Sequence, residues 1–530
     1  MAKRTTYDIS FILFLTSICH VLFSNYGFNP TDEGFVLSAT NRVMNGQIPH
    51  VDFSSVRPLG YAYLHIPELL ISKTRFFLVS RFVFWLEQVL IAFLWIRFIL
   101  SYSKTEISLL KKYTLILICF VFNVHYFPAS VLHTIDGLLM CMIGLNLITT
   151  ENKWNFIGFI FIGFAALCKQ NYLVVLPFTL VLFGRKKLAL NTIFGFFPLL
   201  IYILLISIYG GWNDLMVQLS GHNELLKVGV FSYLSNPVVY AGFIGLLVYR
   251  KLNFDKLYLS VLVLLFACIL MITNHYHGKF GFLFLGIIGG ELLYQFNQKE
   301  SVTLPIVTAL LAWSVSISVG YNTPALFIGG VLSMLLFYSI ISTQTNYLNR
   351  SIIVVLALLI ITFYYTRTHT IYRELTVKNL TYKLDNLVEG AYGIYTNKNT
   401  YLVLQELDSL KKSIPNLLVI PDFTACNILH SHQSKILTEW PNKTEIPNDR
   451  ILEKITSKIK NDSTLVFAIP KYQTALLKDS FVIQPNSGME YPIINFVISN
   501  YQVAEEKKYF LYFRKVFSPS KVIDETEYNN

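Results

Sequence analysis

Apolar stretches of about 15–22 residues recur along the first 365 positions, separated by short polar breaks. Runs near 8–27, 76–100, 113–128, 132–150, 155–168, 171–184, 188–209, 235–249, 257–273, 280–296, 302–320, 325–342 and 351–365 approach the length of a bilayer-crossing helix. The pattern predicts about thirteen transmembrane helices. Past position 365 it changes. Segments 401–413 and 449–461 read as amphipathic helices, the latter with Ile451, Leu452, Ile455 and Ile459 on one face. Leu417–Ile420, Thr464–Ile469 and 509–516 read as short strands. The expected fold is therefore a polytopic α-helical membrane domain over 1–365, followed by a soluble α/β domain over 366–530.

Composition agrees with that division. Hydrophobic residues make up 54% of the 530 positions and charged residues only 14%, against about 25% charged in an average soluble domain. A soluble globule of this length is excluded. The net charge of +11 raises nucleic acid as a partner. Its distribution argues against that. Residues 1–365 hold 23 Lys/Arg and 14 Asp/Glu, whereas 366–530 hold 20 and 18. In the first part the basic residues gather in alternate breaks: Lys3, Arg4, Lys104, Lys111, Lys112, Lys153, Arg185, Lys186, Lys187, Arg250, Lys251, Lys256, Lys299 and Arg350. The intervening breaks carry little beyond Lys169, Lys227 and Lys279, apart from the long first loop. By the positive-inside rule the N-terminus is expected in the cytoplasm. An odd number of spans then puts the C-terminal domain outside, and the expected location is a bacterial plasma membrane. The six cysteines form no CxxC pair, so the sequence supports neither a disulfide framework nor a cysteine-zinc site.

Candidate chemistry gathers in the first outer loop, NPTDEGFVLSATNRVMNGQIPHVDFSSVRPLGYAYLH, residues 29–65. Thr31 is suited to cap a helix from Asp32 to about Asn45, closed by Gly46 and Pro49. Val36, Ala39, Val43 and Met44 supply an apolar face, which predicts a helix lying in the membrane interface. Asp32 and Glu33 would occupy its first turn, where the helix dipole favours ionised carboxylates. Such a carboxylate can serve as a general base or bind a divalent cation. The plainer reading is an ordinary acidic helix start.

The loop resembles the first outer loop of the C-type glycosyltransferase superfamily, nearest to the protein O-mannosyltransferases and the bacterial aminoarabinose transferase. Asp32-Glu33 matches the acidic pair that opens that loop. Asp52 through Arg57-Pro58-Leu59-Gly60-Tyr61 matches the segment ending in a basic residue beside Pro-Leu. The family often carries two prolines where this chain has Arg57-Pro58-Leu59. The likeness covers the topology of about 365 residues, with sharp motif matches over about 35.

The resemblance implies an inverting transfer of a sugar from a polyprenyl-phosphate donor to a lipid, glycan or protein acceptor. It makes Asp32 the base. Arg57, Lys169 in LCKQNYL and Lys279 in NHYHGKFG would face the departing phosphate. For each cation the rival reading is a snorkelling interfacial base. Asp136 in HTIDGLLM either joins Asp32 and Glu33 as an auxiliary or metal-holding acid, or caps a helix in rivalry with Thr134. No metal or other cofactor is fixed by the sequence, although a divalent cation is compatible with these acids. His275 and His277 lack a third ligand nearby in sequence. Glu87 is an intramembrane acid without a visible partner. The non-enzymatic alternative is a transporter or flippase for a lipid-linked saccharide. Such proteins show paired repeats and broken midplane helices, neither of which the sequence displays.

Overall fold

In a computed structural model, the chain is described over residues 2–124, 129–150, 154–220, 223–252, 256–273, 281–317, 325–342, 346–414, 416–421, 423–429, 437–443, 445–446, 448–471 and 491–515. Eight helices open the chain: α1 Ala2–Phe23, α2 Phe35–Met44, α3 Gly60–Leu64, α4 Ile66–Ile71, α5 Phe76–Ser103, α6 Leu109–Val124, α7 His133–Thr149 and α8 Phe156–Cys168. Further apolar helices follow, as far as Asn346–His369.

Three helices are long and apolar enough to cross a membrane: Thr5–Phe23 within α1, Phe76–Ser103 (α5) and Arg185–Ile208. Eight shorter apolar helices accompany them among the described residues. The first and third are peripheral and α5 is central. Phe14, Val21, Ile193, Leu200 and Ile208 all stand exposed on the peripheral pair. So much continuous apolar surface suits lipid and not water. Where helices meet inside the bundle, small residues permit close approach. A Cβ added at Gly144 of α7 would lie 2.6 Å from the Gly158 carbonyl oxygen of α8, and the reverse also holds.

The segment after α1 departs from the expected interfacial helix. The Asn29 side-chain oxygen accepts from the backbone N–H groups of Thr31 (2.9 Å) and Asp32 (3.2 Å). That turn holds Asp32 and Glu33 ahead of the helix. Helix α2 begins at Phe35, with Gly34 as an N-cap that has no side-chain bond. Nor does α2 keep a wet face. Phe35 through Thr40 and Arg42 are all buried, because the C-terminal part of the chain covers the side turned away from the bundle.

That covering part contains both helices and strands. Strands β1 (Tyr382–Lys383) and β2 (Tyr395–Thr396) pair antiparallel. Strands β3 (Leu417–Val419), β4 (Val466–Pro470), β5 (Gln502–Glu506) and β6 (Phe510–Arg514) form a sheet in the order β3-β4-β6-β5. The β3–β4 pair is parallel and the others antiparallel. Helix Lys398–Ser413 starts under an Asn397 cap and Asp449–Lys460 under an Asn448 cap. Ile451, Ile455 and Ile459 of the latter are buried against the sheet side.

The tail is stitched to the first loop by main-chain bonds. Tyr395 N–H donates to Asn25 O (2.7 Å), and Gly27 N–H donates back to Tyr395 O (2.9 Å). Ala425 N–H reaches Pro30 O (2.8 Å), and Asn41 Nδ2 reaches Ile428 O (2.6 Å). The loop is thus a middle layer between the helical bundle and the tail.

Candidate active site

Asp32 sits in the turn before α2, with its side chain 15% exposed. Three donors meet one of its oxygens. The Tyr372 hydroxyl donates to Oδ2 at 2.7 Å, Arg373 Nη1 lies 3.2 Å away and Asn29 Nδ2 lies 3.4 Å away. Oδ1 receives no donor among the described residues. The carboxylate is therefore oriented through one oxygen while the other stays available to a proton.

Glu33 is placed differently. The sequence pairs it with Asp32 as a catalytic acid, but both of its oxygens are taken by Arg81 of α5. Arg81 Nε donates to Oε1 at 2.6 Å and Nη2 donates to Oε2 at 2.9 Å. The same guanidinium binds the carbonyls of Ser24 and Gly27. A buried bidentate pair of this kind is a clamp. It fixes the turn that carries Asp32 onto α5, and it leaves Glu33 no oxygen for proton transfer.

Two of the three candidate phosphate-binding cations, Arg57 and Lys169, lie near each other. Arg57 Nη1 lies 2.5 Å from Glu445 Oε1, and its guanidinium covers the Phe35 ring at 5.2 Å. Lys169 lies in the break after α8, where its Nζ donates to Thr134 Oγ1 at 3.1 Å. Burial, with the Arg57 charge nearby, pushes the Lys169 amine down to about 7. His133, at the start of α7, lies within the field of both cations. Its ring faces Tyr61 (5.5 Å between centroids) and Phe35 (5.9 Å). Both His133 nitrogens and the Tyr61 hydroxyl are buried without a hydrogen-bond partner. Two cations, an imidazole and a phenol thus converge, with the carboxylates of Glu445 and Glu439 opposing them. Such a donor-rich group suits an anion with several oxygens. Lys279, with His275 and His277, lies outside the described residues.

Asp136 is not grouped with Asp32 by any described contact, nor does it cap a helix. Leu132 is the N-cap of α7, and Asp136 lies in the first turn. Its Oδ1 is 3.1 Å from His65 Nε2, and His65 Nδ1 is 2.6 Å from Glu68 Oε1. Glu87 of α5 completes the group: one ligand atom from each of His65, Glu87 and Asp136 lies within 4.8 Å of the others. Glu87 and Asp136 stand out in the sequence, whereas His65, Glu68, His133, Glu445 and Arg373 do not. His65 and Glu68 stand three residues apart, which a short helix brings onto one side. The others had no local signal.

The remaining loop polar groups are anchors. Arg42 pairs with Glu439 at 2.5 Å. His50 is held between Gln218 Oε1 (2.6 Å) and the Tyr202 hydroxyl (2.9 Å).

Compared with known proteins, the chain matches no family model and no curated sequence.

Proposed function

We propose that this protein is an integral membrane glycosyltransferase of the C-type kind. It takes a sugar from a polyprenyl-phosphate donor and passes it to a lipid, glycan or protein acceptor on the extracytoplasmic face. On this reading about thirteen spans hold the N-terminus in the cytoplasm and the covering tail outside, in a bacterial plasma membrane.

The observation that carries the reading is the division of labour around the loop. Asp32 is tethered through one oxygen, while Arg57, held by Glu445, and Lys169, held by Thr134, sit near the unpartnered polar atoms of His133 and Tyr61. An acceptor hydroxyl attacks the anomeric carbon, and its proton passes to Asp32 Oδ1. The bond from that carbon to the phosphate oxygen breaks, and the electron pair leaves with the polyprenyl phosphate. Arg57 and Lys169 take up the charge of that group. A phosphate is a good leaving group, so no protonated acid is needed on its side. Attack and departure on opposite faces invert the sugar configuration. Arg57 must exchange Glu445 for the phosphate, which makes the tail part of donor admission.

The test is transfer from lipid-linked sugars in membrane vesicles carrying wild type or Asp32→Asn at matched protein level. Loss of transfer by at least a hundredfold is expected, within the range for removal of a general base. Near-wild-type transfer would remove Asp32 as the base. Movement of labelled lipid-linked sugar across the vesicle without covalent change would favour the transporter reading.

A further inference from the structure

We infer that His65, Glu87 and Asp136 form a binding site for one divalent transition-metal ion, with Glu68 holding the imidazole from behind. The inference is independent of the transfer reaction. It rests on a group of side chains that the proposed mechanism does not use.

The argument begins with charge. Glu68, Glu87 and Asp136 are all buried, and so is His65. Among the described residues none of the three carboxylates pairs with a lysine or an arginine; their ion-pair partner is His65 alone. Three carboxylates against one imidazole, shielded from water, require added positive charge. Hydrogen bonding points to where it goes. His65 Nδ1 is 2.6 Å from Glu68 Oε1, a geometry in which Nδ1 carries the proton. The lone pair of Nε2 then faces Asp136 Oδ1, 3.1 Å away. Two lone pairs at that distance repel unless a proton or a metal cation lies between them. Asp136 Oδ2 and Glu87 Oε2 are also buried without any donor.

One ion answers all of these needs. Zinc holds nitrogen and oxygen ligands at about 2.0–2.2 Å, which sets ligand atoms roughly 3–4 Å from one another. The His65–Asp136 edge already has that length, and Glu87 lies within 4.8 Å. A carboxylate on the far nitrogen of a ligating histidine fixes the tautomer and the ring plane, and Glu68 occupies that position. One nitrogen and two carboxylates suit zinc or manganese. The ligands come from three places: His65 from the junction of α3 and α4, Glu87 from α5 and Asp136 from α7. The ion would pin the loop that carries Arg57 to two bundle helices.

The test uses the full chain purified in detergent, stripped with a chelator, then titrated with Zn²⁺ or Mn²⁺. Bound metal is counted by elemental analysis, and thermal unfolding is followed in parallel. Wild type should retain one ion per chain and unfold at a higher temperature with it. Asp136→Asn and Glu87→Gln preserve shape and remove charge; each should weaken binding at least tenfold, as should His65→Ala. Glu68→Gln should weaken it less. If wild type keeps no ion and its unfolding temperature does not move, the carboxylates are balanced by protons and the site is refuted. Equal binding by wild type and the shape-preserving variants places the ion elsewhere and refutes it too. The wild-type measurements decide the matter even if a variant fails to fold.

Discussion

Arg57 and Glu445 lie 388 positions apart in the chain, yet their side chains meet at 2.5 Å under cover of the tail. One belongs to the first loop and the other to the tail, so this pair closes the site. Removing one partner strands a buried charge, which costs about 3–5 kcal/mol. Glu445→Gln should therefore lower the unfolding temperature. The double variant Arg57→Met/Glu445→Met should recover most of the loss. A double-mutant cycle on unfolding of the purified protein measures the coupling. Purely additive effects would show that the two side chains do not interact.

Glu33 and Asp32 are neighbours with opposite expected phenotypes. Glu33→Gln breaks the buried pair with Arg81 and should destabilise the protein by about 3 kcal/mol. Asp32→Asn loses only a partly exposed contact to Arg373, worth about 1 kcal/mol or less, and Tyr372 can still donate to the amide oxygen. It should unfold like wild type while failing in transfer. Paired unfolding and vesicle-transfer measurements separate the two roles.

Lys169 predicts a pH dependence. Its amine is held down to about 7 by burial and by Arg57. Below pH 7 the unliganded protein presents an ammonium; above it, a neutral amine. A phosphodiester donor stays singly charged throughout and favours the ammonium, so binding draws in a proton above pH 7. Donor affinity should then fall about tenfold per pH unit above 7. The Lys169→Arg variant should lose this slope because guanidinium does not titrate there. Binding of a polyprenyl-phosphate-linked sugar, a phosphodiester, from pH 6 to 9 is the measurement.

His50 predicts acid sensitivity. Burial pushes its ring down to about 4, against its usual 6.5. The unfolded chain therefore takes the proton first as pH falls. Stability is intact above about 6.5 and drains towards pH 4, by roughly 3 kcal/mol in all. Unfolding followed from pH 7.5 to 4 should show this loss, and His50→Asn should flatten the slope even if it lowers the plateau.

Gly34 has a steric reason to be glycine. A Cβ there would run into the backbone of Thr424 and Ala425. Gly34→Val should push the tail off the loop. The expected sign is faster proteolysis between 366 and 450 in otherwise folded protein.

Local features are readable from the sequence alone. Apolar runs such as 76–100 and 188–209 became helices Phe76–Ser103 and Leu188–Ile208, because a residue's affinity for lipid is an additive property of short segments. The Ile451, Ile455 and Ile459 stripe likewise follows from helical spacing. Asp32, Arg57 and Lys169 were legible as candidates because each stands where its neighbours are apolar or its loop is distinctive. Their partners came from the tertiary structure. It gave Glu33 to Arg81, set Asp136 beside His65 rather than Asp32, and drew Arg373, Glu439 and Glu445 from the tail onto the first loop. It also moved the start of α2 from Asp32 to Phe35, through a turn held by Asn29. The physical reason is the reach of the forces. Hydrophobicity acts residue by residue, whereas a buried charge must find a partner wherever the fold brings one, and that partner leaves no mark on the neighbouring sequence.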